Sequence, residues 1–176
     1  MLSRRAFQIL APATLLQLCV PSLAQALPSR ELFTLTRNIN ANVVKYGVRT
    51  SKDGLLDAAN PIDAYWLMLA ENGRREELTW TERQLAYGFS VSNSGRSSCA
   101  MHLAACSERE LRVRQVEGAY RAELLIAKQP AVLQRIFVCA EQHALLPSVR
   151  YIDIFGTNAG GKPVAERILP RRVSRF

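Results

Sequence analysis

Hydrophobic and polar residues alternate in short runs along most of this 176-residue chain. The run at residues 32–36 reads Leu-Phe-Thr-Leu-Thr, and the run at 43–50 places Val44, Tyr46 and Val48 on one face. A two-residue period of this kind is typical of β-strands that bury one side. Seven further runs have the same strand-like character: residues 64–70, 99–105, 110–116, 121–127, 133–140, 149–155 and 164–169.

Turn-forming residues separate most of these runs. Asp53-Gly54, Asn60-Pro61 and the glycine-rich stretch 156–161 are the clearest breaks. Short strands at regular spacing, with turns between them, are typical of antiparallel barrels and sandwiches. The pattern therefore predicts a mainly β fold, either a single antiparallel β-barrel or a closed β-sandwich, with about eight strands and one short helix.

The helix is predicted at residues 80–87. Thr79 precedes it as the N-cap, and Glu82 three residues later completes a capping box. Gly88 follows as a residue that commonly ends a helix. Two turns are too few for an independent helix, so we expect it to pack on the sheet.

The first 26 residues have the three parts of an export signal. Arg4 and Arg5 supply the positive start, residues 6–20 form an apolar stretch, and Ala24-Gln25-Ala26 is a small-x-small cleavage site. The apolar stretch is shorter than the roughly 20 residues needed to cross a bilayer. We predict that residues 1–26 are cleaved off, and that residues 27–176 form a single β-rich domain with a short basic C-terminal tail.

The signal favours a particular export route. Ser3-Arg4-Arg5-Ala6-Phe7 resembles a twin-arginine signal, and a general secretory signal with two arginines is the alternative. Either route predicts a periplasmic or secreted protein whose partners include an export translocase and a signal peptidase. No later segment is long and apolar enough to predict a transmembrane span in the mature chain.

Charge adds a weaker indication about partners. The chain carries a formal charge of +8, and the signal holds two of its 23 Lys and Arg and none of its 15 Asp and Glu, which leaves +6 for the mature domain. Part of the excess lies near the C-terminus, at Arg167, Arg171, Arg172 and Arg175. Such a tail either contacts an anionic envelope ligand or is simply solvated. No aromatic residues interleave with it to stack on bases, so no nucleic-acid partner is predicted.

Cys99, Cys106 and Cys139 remain after cleavage, which permits one disulfide in an oxidising compartment. Cys99 and Cys106 are predicted to lie on one strand, about 20 Å apart, so any bridge would use Cys139. Cys99-x-x-His102 and Cys139-x-x-x-His143 have zinc-like spacing, but strand residues three apart point to opposite faces, so no metal is predicted.

Other motifs of catalytic type also fail on physical grounds. Residues 156–162 have the spacing of a phosphate-binding loop, but Pro163 stands where a magnesium-binding hydroxyl is needed. A glycine-rich hairpin loop is the preferred interpretation. No Gly-x-Ser-x-Gly elbow occurs. The sequence therefore neither predicts nor excludes an enzyme, it indicates no reaction type, and no cofactor is predicted.

One polar and aromatic cluster is the candidate ligand-binding site. Tyr151 and Asp153 alternate on one face of a predicted strand, and we predict that Asp153 pairs with Arg83 of the helix. The predicted site comprises Tyr65, Trp66, Arg83, Tyr87, Tyr151 and Asp153. The alternative is a structural ion pair beside core aromatic residues.

Short elements recur in a characteristic order along the chain: Val44-x-Tyr46, Asn60-Pro61 with Tyr65-Trp66, Glu77-Leu78-Thr79, Ala86-Tyr87-Gly88, Pro147-x-Val149-x-Tyr151-Ile152-Asp153, and Gly156 with Gly161-Lys162-Pro163-Val164-x-Glu166. This order resembles a bacterial exported family known as domain of unknown function 4833. The resemblance spans about residues 35–169 and implies one compact domain with no known reaction, so it supplies no catalytic residues. The three cysteines are not part of the pattern.

Three functions are compatible with these observations. The first is an exported module that binds a small ligand or an envelope component in a barrel mouth or cleft. The second is a structural or interaction protein of the cell envelope without a small-molecule site. The third is an enzyme of unrecognised type. We expect the first.

Overall fold

The structure, a computed structural model, describes residues 30–141 and 148–169. The predicted export signal, His143 and most of the predicted basic tail lie outside the described residues. Within those residues, the chain forms eleven strands and one α-helix in the order β1 (Glu31–Arg37), β2 (Asn40–Val48), β3 (Ile62–Met68), β4 (Arg74–Glu77), α1 (Trp80–Leu85), β5 (Phe89–Ser92), β6 (Ser98–Leu103), β7 (Glu110–Val116), β8 (Ala119–Ile126), β9 (Gln129–Glu141), β10 (Ser148–Asn158) and β11 (Pro163–Ile168). Two 3₁₀ turns, Leu69–Glu71 and Ala104–Cys106, follow β3 and β6.

The strands form two meanders that meet at β9. Strands β1 to β4 pair in chain order, and so do β5 to β11, with each neighbour antiparallel. The first part of β9 pairs with β8, its later part pairs with β1 in parallel, and β10 runs along its other edge. The long strand β9 is therefore the join between the two meanders.

The sheet is an open half-barrel, which corrects the prediction of a closed barrel or sandwich of about eight strands. The prediction of a mainly β fold is confirmed. Strands β4 and β5 end the path of paired strands and do not pair with each other. Each is only four residues long, and α1 connects them in the chain.

Alternating residues of the strands build one continuous core inside the half-barrel. The largest wholly buried side chains include Phe33, Tyr46, Met101, Leu133 and Ile154. The side chain of Asn38 continues the parallel pairing beyond β1, since its amide donates to the carbonyl of Ala140 at 3.0 Å and accepts from the Ala140 N–H at 2.8 Å. The end of β1 is thereby fixed against β9.

The helix begins as its capping signal predicts. The Thr79 hydroxyl accepts from the N–H of Glu82 at 3.3 Å, and the Glu82 carboxylate accepts from the N–H of Thr79 at 2.8 Å. The helix ends at Leu85, two residues before the predicted end. Gly88 is needed just beyond it, because a Cβ there would lie 1.6 Å from the carbonyl oxygen of Arg83. In the described part of the chain, no helix has the length and apolarity of a membrane span.

The structure also shows the state of the three cysteines and the conformation of the glycine-rich loop. All three thiols are free, with Cys99 and Cys106 buried. The prediction that these two share a strand is wrong, because β6 ends at Leu103 and a 3₁₀ turn carries Cys106. The loop before Pro163 is a hairpin between β10 and β11, as expected.

Candidate functional site

The structure separates the residues predicted to form one ligand site. Trp66 is buried on the inner face of β3, and its ring meets that of Tyr87 edge to face with centroids 4.8 Å apart. Tyr65 is adjacent to Trp66 in the strand and therefore points to the outer face. There the guanidinium carbon of Arg75 lies 4.0 Å from the centre of the Tyr65 ring.

Tyr151 and Asp153 lie on the outer face of β10, away from the core residue Ile152. Asp153 is directly opposite Arg167 of β11, whose Nε and terminal nitrogen donate to the two carboxylate oxygens at 2.7 and 2.8 Å. The bonds from Arg167 hold the pKa of Asp153 below its usual range. The Arg167 guanidinium also covers the Tyr151 ring at 3.7 Å.

The predicted pair of Arg83 with Asp153 is therefore wrong. Arg83 donates to the Glu77 carboxylate at 2.9 Å and to the Leu78 carbonyl at 3.1 Å. The reason is strand geometry: Asp153 points outward, and its nearest cation is the residue across the ladder on β11. A ligand-binding role for the six residues stays a prediction.

A buried aromatic cluster lies behind α1. Tyr46 stacks on Phe33 with centroids 4.6 Å apart, and its hydroxyl donates to the carbonyl of Tyr87 at 2.8 Å. Burial raises the pKa of Tyr46, so this hydroxyl stays protonated and remains a donor. The indole N–H of Trp66 donates to the Glu82 carboxylate at 3.0 Å. These contacts fix Tyr87, which follows the helix, and the first turn of α1.

Beside Tyr87 a cleft opens where the end of β1, the end of α1, the 3₁₀ turn Ala104–Cys106 and strands β9 to β11 converge. We call it the mouth cleft; its volume is about 390 Å³. Its apolar walls are formed by Leu85, Val138, Val149, Ile152, Ile168 and Leu169. Three of these side chains are strongly exposed for their type, at 68% for Leu85, 38% for Val149 and 70% for Leu169.

Arg37 brings a positive charge into the mouth cleft. Its guanidinium carbon lies 4.5 Å from the centre of the Tyr87 ring, in a cation–π arrangement. Its Nε is buried and has no hydrogen-bond partner in the described part of the chain. Arg37 is the last residue of β1, opposite Val138 of β9, so the two meanders together set its position.

The other polar groups of the cleft are already engaged or unreactive. Arg109 forms two hydrogen bonds with the Glu166 carboxylate, at 2.6 and 2.8 Å. These bonds hold the pKa of Glu166 below its usual range. Burial raises the pKa of the Cys106 thiol to about 11, so it is protonated near neutral pH.

Two further cavities lie on the outer surface and are lined largely by charged groups. One, of about 690 Å³, lies against β7 and β8, and its Arg112 is paired with Glu110 at 2.9 Å. The other, of about 480 Å³, includes Tyr65 and has Asp63 held by Arg49. The larger one also has apolar walls, which include the exposed Leu125, but the mouth cleft differs from both in containing a cation, Arg37, whose Nε has no hydrogen-bond partner among the described residues.

Sequence reasoning missed Arg37 although one signal pointed to it. Phe33 and Leu35 are both buried, and Arg37 follows two positions later on the same face of β1. A charged residue in the inward phase of a strand requires a special environment. The signal was available in the alternation itself, but the predicted strand ended at residue 36.

Comparison with known protein families assigns the chain to one of them. The model of the family described as Domain of unknown function (DUF4833) matches residues 33–167. The chain belongs to the DUF4833 family. The match runs from β1 to β11 and so covers most of the mouth cleft of this DUF4833 domain. No curated protein and no solved structure shows significant similarity to the chain.

The short sequence motifs that carry the family resemblance lie close together in the folded DUF4833 domain. Tyr46, Trp66 and Tyr87 come from three different motifs and meet in the aromatic cluster. Glu166, from the last element, binds Arg109 at the edge of the mouth cleft and also accepts from the N–H of Ala127 at 2.7 Å. The family pattern thus describes the framework around the cleft.

Proposed function

We propose that the protein is an exported binding module that holds a small amphipathic ligand in the mouth cleft. The observation that carries this is the convergence of exposed Leu85, Val149 and Leu169 on one cleft that also contains a cation. Exposed apolar side chains that gather around a concave site mark ligand-binding or interaction surfaces. A volume of about 390 Å³ falls in the range of small-molecule sites.

Export is part of this proposal and rests on residues 1–26. We expect a periplasmic or secreted chain whose N-terminus is residue 27. Cell fractionation with N-terminal sequencing tests this, and an uncleaved cytoplasmic chain would contradict it. Replacing Arg4 and Arg5 with lysine tests the twin-arginine route, since unchanged export would point to the general secretory route.

The alternatives have less support. An interaction protein would use its free sheet edges, but β4 reads Arg-Arg-Glu-Glu and is wholly exposed, and charged edges discourage pairing with other chains. An enzyme using the cleft thiol would need a thiolate. The pKa of about 11 for Cys106 keeps that group protonated near neutral pH.

Binding of Nile red, a neutral apolar dye, tests the proposed function without involving charge. We expect the purified mature chain to bind the dye at one site with a rise in fluorescence. The variant Ala104→Phe places a bulky ring in the mouth cleft at an exposed position and should abolish the rise. Ala59→Phe makes the same change at an exposed loop position away from the cleft and serves as the control.

The proposed function fails if the dye does not bind, or if Ala104→Phe and Ala59→Phe bind it as the wild type does. Native mass spectrometry of the protein purified from the periplasm gives a second, label-free measurement. A small molecule that copurifies with the wild type and is lost from Ala104→Phe supports the proposal.

A further inference from the structure

Arg37 is an arginine without a counter-charge in the described part of the chain. Among the described residues, no carboxylate lies within ion-pair distance of its guanidinium, and no acceptor takes a hydrogen bond from its side chain. Its Nε is shut off from solvent, while the residue as a whole is only partly buried and lines the mouth cleft. The ring of Tyr87 supports one face of the guanidinium at 4.5 Å.

The surrounding charges leave this cation uncompensated. The other charged groups on the cleft lining are Glu108 and Arg109. Arg109 is neutralised by Glu166, and Glu108 has an interaction of its own. Withdrawing a cation from water without a full set of hydrogen bonds is costly, and an anion bound at the terminal nitrogens would remove that cost.

A carboxylate matches this site better than a phosphate. The planar guanidinium presents two N–H groups side by side, which fit the two oxygens of a carboxylate. A phosphate monoester carries about −1.5 to −2 charges near neutral pH, which one arginine leaves only half neutralised. The apolar walls, with Leu85 and Ile168 among them, provide a surface for a hydrocarbon chain joined to the head.

We propose that the ligand is an amphipathic carboxylate, whose head is bound by Arg37 and whose apolar chain lies between α1 and strands β10 and β11. This rests on the proposed function, because it names the ligand class of the same cleft. It adds a specificity residue, Arg37, to that cleft.

Four ligands of equal chain length separate the head group from the chain. Dodecanoate, dodecanol, dodecylamine and dodecyl phosphate are each used to displace Nile red from the wild-type mature chain. We expect dodecanoate to bind about tenfold or more tightly than dodecanol, since a carboxylate accepts two charge-assisted hydrogen bonds from the guanidinium and neutralises it, whereas a neutral hydroxyl accepts one and leaves the charge. Dodecylamine should bind most weakly, and dodecyl phosphate more weakly than dodecanoate.

Variants of Arg37 assign the preference to this residue. Arg37→Met keeps much of the length and loses the charge, so dodecanoate should then bind no more tightly than dodecanol. Arg37→Lys keeps the charge without the planar fork and should restore part of the preference. Arg114→Met removes a positive charge from an exposed position of strand β7 and should leave the preference unchanged. Circular dichroism checks that each variant is folded.

Three outcomes overturn the inference while leaving the proposed function intact: equal binding of dodecanoate and dodecanol by the wild type, a preference that persists in Arg37→Met, or tighter binding of dodecyl phosphate. Because the head-group comparison uses the wild type, it stands even if Arg37→Met fails to fold. If no apolar probe binds, the proposed function and the inference both fail. The dye could also bind only to a chain truncated after Leu169. That result would indicate that residues 170–176 occupy the mouth cleft in the full chain, and it would also overturn the inference.

Discussion

Replacing Glu82 with alanine is expected to destabilise the protein by about 2–4 kcal/mol, because one carboxylate serves two partners. One oxygen accepts from the N–H of Thr79 at 2.8 Å, and the other accepts from the indole N–H of Trp66 at 3.0 Å. Losing the carboxylate's half of the capping box costs about 0.5–1.5 kcal/mol, since the Thr79 hydroxyl still caps the helix. Leaving the indole of Trp66, which is only 7% exposed, without an acceptor costs about 1–3 kcal/mol more.

A double-mutant cycle with Trp66→Phe separates the two contributions. In the phenylalanine background there is no indole N–H, so Glu82→Ala should cost only the carboxylate's half of the capping box, about 1 kcal/mol. The free energy of unfolding is measured by urea denaturation followed by far-UV circular dichroism. Thr79→Ala, which removes the capping hydroxyl but keeps the acceptor for Trp66, is the matched control. An equal cost of Glu82→Ala in both backgrounds would refute the idea that the helix is tied to the core through this carboxylate.

The same carboxylate predicts a pH dependence. Burial works to raise the pKa of Glu82, but the hydrogen bonds from Thr79 and Trp66 outweigh it and lower the pKa below 4.5. Because the folded-state pKa is lowered, the stabilisation is fully present above the unfolded value and is lost as the pH falls through the folded value. The stability difference between wild type and Glu82→Ala should therefore shrink below about pH 4.5. A difference that stays constant down to about pH 3 would contradict this reasoning.

Three further substitutions test other parts of the structure by thermal or urea denaturation. Lys128→Gly should stabilise the protein by up to about 1 kcal/mol, since Lys128 has a left-handed φ of 65° in the hairpin between β8 and β9; no gain would mean that the turn is not strained. Gly88→Ala should destabilise it by about 2 kcal/mol or more, because the new Cβ would collide with the carbonyl of Arg83; a neutral result would exclude that close approach. Asp153→Ala should cost about 1 kcal/mol or less, since Arg167 is 55% exposed and stays solvated without its partner; a loss of 3 kcal/mol or more would indicate a buried pair.

Much of the strand pattern could be predicted from the alternation of side chains. The nine strand-like runs all correspond to strands, because each buries one face against the common core. Strand β4 was missed because its four residues, Arg74–Glu77, are all charged and exposed, so no hydrophobic period marks it. Strand β5 was missed because it has only four residues and begins directly after Gly88, the predicted stop of the helix.

Closure of the sheet could not be predicted, because it depends on pairing between distant strands. The parallel pairing of β1 with β9 has no local signal in either segment. For the same reason the partner of Asp153 was misassigned, since the register that sets Arg167 opposite it becomes known only with the ladder. The helix cap was predictable, by contrast, because Thr79 and Glu82 interact within four residues.

The pairing of β1 with β9 determines the order in which parts of the chain can fold. Most strand pairs connect neighbours in the sequence and can form by closing short loops, but Thr36 of β1 meets Ile136 of β9 across 100 residues. The entropy of closing so long a loop must be offset by contacts that exist only after β9 has been synthesised. Each meander can thus assemble early, while the mouth cleft, which needs Arg37 of one and Val138 of the other, comes into being only when the last long-range docking step is complete.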